Sequence, residues 1–435
     1  MSLNVLGIIG IAVMLLLILS GVRIGLVMFM VGFTGYAMAT NLKAALVMLK
    51  TYTFTSAMNY TLAVVPLFVL MGQFVFYAGI SDDLFRSSRT IFGKQPGGLA
   101  YAGIFSSAAF GAICGTLGAT TATMCSVAKP IMKEHKYSDK LIGGVLSCGG
   151  TLGTLIPPST PAIMYGVIAE LSIGKLFAAT TIPGIIMAIC FCGVVFVWTK
   201  INPLAAPGTE EGYSVLEKIK SIKGFIPLLL IFSIVIVGMF SGFFSITESA
   251  AAGVLVSFIF LAVRRRATKA NLIASLKETA LTVGSCMIII IGANVFGCFL
   301  TITGLTATLA NFVAGLNMSR TMIIAVIILI YAVMGCFIDC VAMIMITVPI
   351  FLPVIVELGY DPIWFGVIVV MVLNLGAVTP PVGAACFVAS RVMKDIPLTT
   401  IYKGVVPFLL AFLIAFLIVV LFPQVALFLP SIAAG

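Results

Sequence analysis

The sequence predicts an all-α polytopic membrane protein built from two internal repeats, and three observations carry that prediction. Of 435 residues, 61% are hydrophobic and 9% are charged, with a mean hydropathy of +1.25. A soluble chain of this length carries about 25% charged residues. Apolar runs of spanning length recur from end to end, at 5–19, 182–197, 225–239, 251–263, 322–334 and 405–420 among others. An ordered series of matching residues also recurs in the two halves.

A spanning helix needs about 20 mostly apolar residues, so the chain has room for roughly ten to twelve membrane segments, some incomplete. The runs are too continuous for an outer-membrane barrel, whose strands alternate over about ten residues. The first run has no Lys or Arg ahead of Arg23. It lacks the basic start of a signal peptide and is expected to stay as a membrane helix.

The formal charge of +10 does not point to nucleic acid, because the cations sit at the ends of apolar runs. They cluster at Arg86, Arg89 and Lys94; at Lys133, Lys136 and Lys140; at Lys218, Lys220 and Lys223; and at Arg264, Arg265, Arg266 and Lys269. That is the pattern of cytoplasmic loops under the positive-inside rule. The ten cysteines are scattered through apolar segments without metal or redox spacing, so they read as small core residues. The single histidine, His135, lies in a charged loop, which leaves no His-rich metal site.

One polar stretch, 202–223, divides a first half (1–201) from a second (224–435) and is expected to be a cytoplasmic linker. Across it, Pro157-Pro158 and Pro380-Pro381 stand 223 positions apart, and at the same offset Pro130 meets Pro353 and Tyr137 meets Tyr360. TLGTLIPP at 151–158 aligns without gaps to NLGAVTPP at 374–381. Such a duplication is common in transporters, where an inverted arrangement is the expected one.

Non-helical backbone at membrane depth is tolerated only inside protein or beside a water-filled cavity, so interrupted segments mark the place to look for function. The first, 106–123, carries Gly111, Gly115 and Gly118 ahead of Thr120, Thr121 and Thr123. It suits the apex of a re-entrant hairpin, and equally a spanning helix packed through small residues. The second, 149–165, holds Pro157, Pro158 and Pro161, which cannot share one uninterrupted helix. Its free carbonyls would bind a cation, and a helix restarting near Ser159 and Thr160 would offer amides to an anion. A simple proline kink is the alternative.

The matching second-half segments are 334–345, which places Asp339 in an apolar stretch, and 374–383, with Asn374 and Thr379 beside the second Pro-Pro. An ionisable residue at that depth costs about 2.5–3.5 kcal/mol to insert and is a candidate cation ligand, unless it snorkels to the surface. Glu248 reads as a helix-start carboxylate, and Glu170 as a residue of an exposed turn. The stretch 81–92 mixes Asp82, Asp83, Arg86 and Arg89 with Leu84, Phe85 and Ile91, as an amphipathic arm at the membrane interface would. Its second-half counterpart, 306–316, has no charge.

With these residues in view, the chain resembles the large membrane subunit of tripartite ATP-independent periplasmic (TRAP) transporters over essentially its whole length. The most specific stretches are 152–184, 334–354 and 374–383. TESAAAG at 247–253 is also similar, although Ile246 stands where proline is expected. The resemblance implies an elevator-type ion-transporter fold, with hairpins and broken helices moving against a scaffold. It implies sodium-driven uptake of a small organic anion such as a sugar acid or dicarboxylate, delivered by a periplasmic binding protein across the bacterial inner membrane. It further implies a separate small four-helix membrane subunit as partner. Sodium would lie near Gly111, Gly115, Thr116, Thr151, Gly153 and Pro157, and near Gly335, Asp339, Asn374, Gly376 and Pro380. Substrate would lie near Thr120, Thr121, Ser159, Thr160, Thr379 and Gly383.

The competing expectation is a self-sufficient sodium symporter for dicarboxylates or citrate. An intramembrane enzyme would want a Ser/His, His-rich or paired-Asp constellation that one loop histidine does not supply. A channel would want a ring-forming filter. No phosphate-binding P-loop is present to use ATP directly.

Overall fold

The computed structural model describes residues 2–20, 22–208, 213–305, 308, 319–336, 338 and 340–432, and the regular structure among them is helical throughout. The first half comprises α1 (Leu3–Leu19), α2 (Ile24–Ala39), α3 (Leu42–Ala57), α4 (Val64–Tyr77), α5 (Ile80–Phe92), α6 (Gly98–Cys114), α7 (Leu117–Glu134), α8 (Asp139–Leu155), α9 (Thr160–Ile168) and α10 (Ile173–Ile201). The second comprises α11 (Val215–Phe240), α12 (Ile246–Val263), α13 (Lys269–Ile302), α14 (Arg320–Gly335), α15 (Cys340–Glu357), α16 (Pro362–Val378), α17 (Ala384–Val392), α18 (Leu398–Leu421) and α19 (Gln424–Ile432). Eight described segments are long and apolar enough to cross a membrane. Many begin at a capping side chain: Ser138 opens α8, Ser172 opens α10, Thr268 opens α13 and Asp361 opens α16. Each such oxygen satisfies an amide that the helix itself leaves unpaired.

The duplication is visible in the elements. At the offset of 223, α7 coincides end for end with α15, both of 18 residues, and α8 with α16, both of 17. Both Pro-Pro bonds are cis, and both loop tyrosines follow a residue of positive φ, Lys136 or Gly359.

Contacts at the element ends give their directions. The Leu99 amide at the start of α6 donates to the Tyr137 hydroxyl just past α7, at 3.2 Å. The pair α6–α7 therefore enters and leaves at one level, as a re-entrant hairpin. At that level Lys133 pairs with Asp139 at the start of α8, and with Asp395 just past α17 at 3.6 Å. So α8 departs from the level to which α17 returns. Lys129 also pairs with Asp395 and holds its carboxyl below the usual carboxylate range.

The opposite level is marked by the Tyr165 hydroxyl of α9, which donates to the Pro362 carbonyl at the start of α16, 2.7 Å away. There too the Arg320 guanidinium, opening α14, lies beside Gly359 beyond α15. Helix α18 joins the levels. Near its start Gly404 packs against Lys140 and Gly144, and near its end the Val419 carbonyl accepts from the Trp364 indole at 3.0 Å. The two broken helices, α8–α9 and α16–α17, thus run in opposite directions, each beside a hairpin from its own side. The repeats are inverted, as expected.

The first level carries Lys129, Lys133, Lys136, Lys140, Lys394 and Lys403, and the positive-inside rule assigns it to the cytoplasm. The polar linker lies there also. Its first turn docks on the hairpin base through Gly97 N–H to Ala206 O (3.1 Å) and Ser138 N–H to Ala205 O (2.9 Å). Its later residues already belong to α11, opened by a capping box between Ser214 and Glu217. The amphipathic arm is α5. Ile80, Leu84 and Phe85 are buried on its inner face, and Ser106 of α6 donates to Ser88 at 3.0 Å. Apart from Thr308, its counterpart 306–316 lies outside the described residues. Glu248 closes a capping box with Ser245, the structural role expected of it, and Glu170 is exposed in a turn.

Candidate functional site

The site is where the hairpin apex meets the first helix break, at mid-depth. Helix α6 ends because Gly115 takes a left-handed conformation (φ 66°), which glycine adopts without steric cost. Its amide donates to the Gly111 carbonyl at 2.9 Å, and its own carbonyl accepts the Thr160 amide at 3.0 Å. The N-terminus of α9 is thereby tied to the apex. Thr116 opens α7, and the Thr120 hydroxyl donates back to its carbonyl at 2.7 Å.

The arms of the hairpin approach α8 so closely that a Cβ on Gly111 would collide with the Gly153 backbone. Likewise Thr120 faces Gly153, and Thr121 faces Gly150. Of the two expectations for 106–123, the spanning helix does not hold, because the chain breaks at Gly115 into a hairpin apex; the close packing through small residues expected of such a helix is nonetheless present. The second half repeats the contact, since a Cβ on Gly376 would collide with the Gly335 backbone.

The two breaks meet. The Thr154 hydroxyl of α8 donates to the Asn374 side-chain carbonyl of α16, and the Ser159 hydroxyl donates to the Thr154 carbonyl. Thr151 donates to the Cys148 carbonyl at 2.6 Å. The last turns of α6, α8 and α16 thus bring helix C-terminal carbonyls, the negative ends of their dipoles, to one region, several of them already accepting one hydrogen bond, as Gly111 and Thr154 do. Three buried polar atoms there, Ser107 Oγ, Thr121 Oγ1 and Asn374 Nδ2, have no hydrogen-bond partner among the described residues.

Thr120, Thr121, Ser159 and Thr160 are buried in the seam between hairpin and broken helix, and Pro157 lies buried beside them. The second break is more open. Pro380, Pro381 and Val382 are exposed, Thr379 donates to the Leu375 carbonyl at 2.7 Å, and Gly383 opens α17 with φ 56°. The Tyr402 hydroxyl closes this break from α18, at 2.9 Å from the Pro381 carbonyl and 2.7 Å from that of Val382. Asp339 lies outside the described residues.

Beside the apex, between α4 and the hairpin, is a cavity of about 260 Å³. Thr123 and Ser126 of α7 line it, opposite Gln73 of α4 and Glu278 of α13. Sequence reasoning did not single out Gln73 or Glu278. Gln73 had a signal, being the only uncharged amide in the otherwise apolar α4. Glu278 had none, because it lies in a polar stretch that resembles any solvated helix start.

Opposed broken helices, each clasped by a re-entrant hairpin, define a class of secondary transporter with its binding region at mid-membrane. A family model described as the tripartite ATP-independent periplasmic transporter, DctM component, matches residues 11–425, and the chain belongs to that family. It is a multi-pass permease of the inner membrane and not an enzyme. It is 33% identical over 379 residues to the sialic acid TRAP transporter large permease protein SiaM of Vibrio cholerae, covering 87% of this chain and 88% of that one. It is 32% identical to the C4-dicarboxylate large permease DctM of Pseudomonas aeruginosa, with the same coverage. Among solved structures, the YdaH transporter of Alcanivorax borkumensis shares the fold at a TM-score of 0.61 and 14% identity, over 90% of this chain and 88% of that one.

Proposed function

We propose that this permease carries out sodium-coupled uptake of a small organic carboxylate by an elevator motion, receiving it from a periplasmic binding protein and working with a small membrane subunit. The observation that carries the reading is the convergence of helix C-terminal carbonyls and a partnerless buried hydroxyl, Thr121 Oγ1, at the meeting point of hairpin and break. An all-oxygen donor set of carbonyls and hydroxyls suits a hard cation, and the converging dipole ends favour positive charge there. Gly111, Gly115, Thr116, Thr151, Gly153 and Pro157 would frame one sodium. Gly335, Asp339, Asn374, Gly376 and Pro380 would frame its symmetry counterpart. Bound sodium would offset the carbonyl dipoles and so make the region acceptable to an anion.

Relatives are named for sialic acid, C4-dicarboxylates and 2,3-diketo-L-gulonate, which supports a carboxylate as cargo. The tripartite family supports the two partners. The cavity beside Thr123 and Ser126 supports a boundary across which the hairpin bundle moves against α4 and α13. Thr160 already spends its amide on Gly115. In this reading the cargo sits on the cavity side of the apex, against Thr123 and Ser126, with Thr120, Thr121, Ser159 and Thr160 behind that wall.

The test is uptake of labelled organic acids into proteoliposomes holding this chain and its small subunit, with and without binding protein and an inward sodium gradient. Uptake requiring both is expected, and Asp339→Asn is expected to weaken the sodium dependence. Sodium-driven uptake that ignores the binding protein would replace the tripartite reading with a self-sufficient symporter. Unchanged sodium dependence in the variant would remove Asp339 from the coupling site.

A further inference from the structure

The cavity-lining face of α7 does not stop at Ser126. Thr123, Ser126, Val127 and Ile131 follow one another at helical spacing, and the last two line a second cavity of about 470 Å³ at the cytoplasmic end. From Thr123 to Ile131 the path is about 12 Å, at about 1.5 Å per residue. Into this second cavity α5 and the loop between α12 and α13 bring four guanidinium groups, Arg86, Arg89, Arg264 and Arg266, against the carboxylates of Asp82 and Asp83.

The four cations are not equivalent. Arg264 is committed to the fold, pairing with Asp83 at 2.6 Å and donating to the Ala78 carbonyl at 3.2 Å. Arg89 donates to His135 Nε2 at 3.1 Å, across the gap between arm and hairpin. Arg86 and Arg266 have no ion-pair partner among the described residues. The positive-inside rule accounts for cations at this end of the molecule. It does not account for their gathering around one recess, where four guanidinium groups face only two carboxylates and leave an excess of positive charge. Guanidinium forks match a carboxylate with two parallel hydrogen bonds, which lysines in loops do not.

The geometry points to a release subsite: the carboxylate of the transported anion, on leaving the apex cavity, is received by Arg86 and Arg266 before it enters the cytoplasm. This rests on the carboxylate-transport reading above. The anion's own route supplies the occupant, since the same face of α7 lines both cavities. A lipid phosphate has the same oxyanion chemistry, and the experiment separates the two.

The measurement is exchange transport in proteoliposomes, with the half-saturating concentration of carboxylate determined separately at each face. The variant Arg86→Gln with Arg266→Gln is expected to raise the cytoplasmic-face value about tenfold, in keeping with the loss of charged hydrogen bonds. It leaves the periplasmic-face value unchanged, and Arg86→Lys with Arg266→Lys recovers part of the loss. An unchanged cytoplasmic-face value overturns the proposal. So does a defect that appears in vesicles containing phosphatidylglycerol and vanishes in pure phosphatidylcholine, which would assign the recess to lipid. If the wild-type protein moves no carboxylate at all, the functional reading fails instead. The site is then decided by succinate titration of the detergent-solubilised chain, read as a shift in thermal unfolding midpoint. A wild-type shift that the double variant lacks retains an anion site, and equal shifts remove it.

Discussion

Gly111 and Gly153 lie in backbone contact where the hairpin meets α8, so a methyl group on Gly111 must displace the Gly153 backbone, whereas one on Gly153 first meets the Thr120 hydroxyl. Gly111→Ala is expected to lower stability by about 1–3 kcal/mol, the range for overpacking a filled interior, and to reduce uptake with it. Gly193→Ala is the control, because a Cβ there meets nothing within 4 Å. Thermal unfolding in detergent, paired with uptake, reads both. Equal behaviour of the two variants would show that the seam can yield. Glu248 makes a different point. Its carboxylate accepts the Ser245 amide at 2.7 Å in a capping box that glutamine also forms. Glu248→Gln should therefore leave transport and its sodium dependence unchanged, and a lost dependence would give this charge a coupling role. The helix-start reading of Glu248 was available from SITES alone, because capping is local. The burial of Thr120 and Ser159 was not, because only the docking of α6 and α7 on α8 decides which hydroxyls face a cavity.

At the scale of elements, the break in α8–α9 follows from proline chemistry. Pro157 and Pro158 have no amide to give to a helix, and their rings exclude the preceding turn. Replacing both with Ala permits a continuous helix from α8 into α9. It should abolish uptake while leaving membrane insertion and expression near wild type, as read by uptake alongside protein level in membranes. Normal uptake would mean that an unwound middle is not needed. The Pro-Pro pairs and the offset of 223 were legible as a repeat because proline constrains its own neighbourhood. The direction of each broken helix was not legible in that way. It rests on contacts such as Lys133 with Asp139 and Asp395, and Tyr165 with Pro362, whose partners are distant in sequence.

For the molecule as a whole, the orientation has a direct check. In a background with the native cysteines replaced, Lys136→Cys should label with an impermeant maleimide only from the cytoplasmic side. Arg320→Cys should label only from the periplasmic side. Labelling of both from one side would contradict opposed hairpins.

Composition and the length of the apolar runs were enough to establish a membrane protein, because a bilayer demands long apolar helices whatever their packing. Proline, glycine and capping residues located the interruptions, because their effects reach only a few residues along the chain. Tertiary structure alone decided three things: that the repeats are inverted, that Gln73 and Glu278 face the hairpin, and that Arg86 and Arg266 share one recess. Each depends on which helix lies beside which. In a chain this uniformly apolar, hydropathy hardly distinguishes one neighbour from another, and the choice falls to close glycine contacts and a few long-range polar pairs.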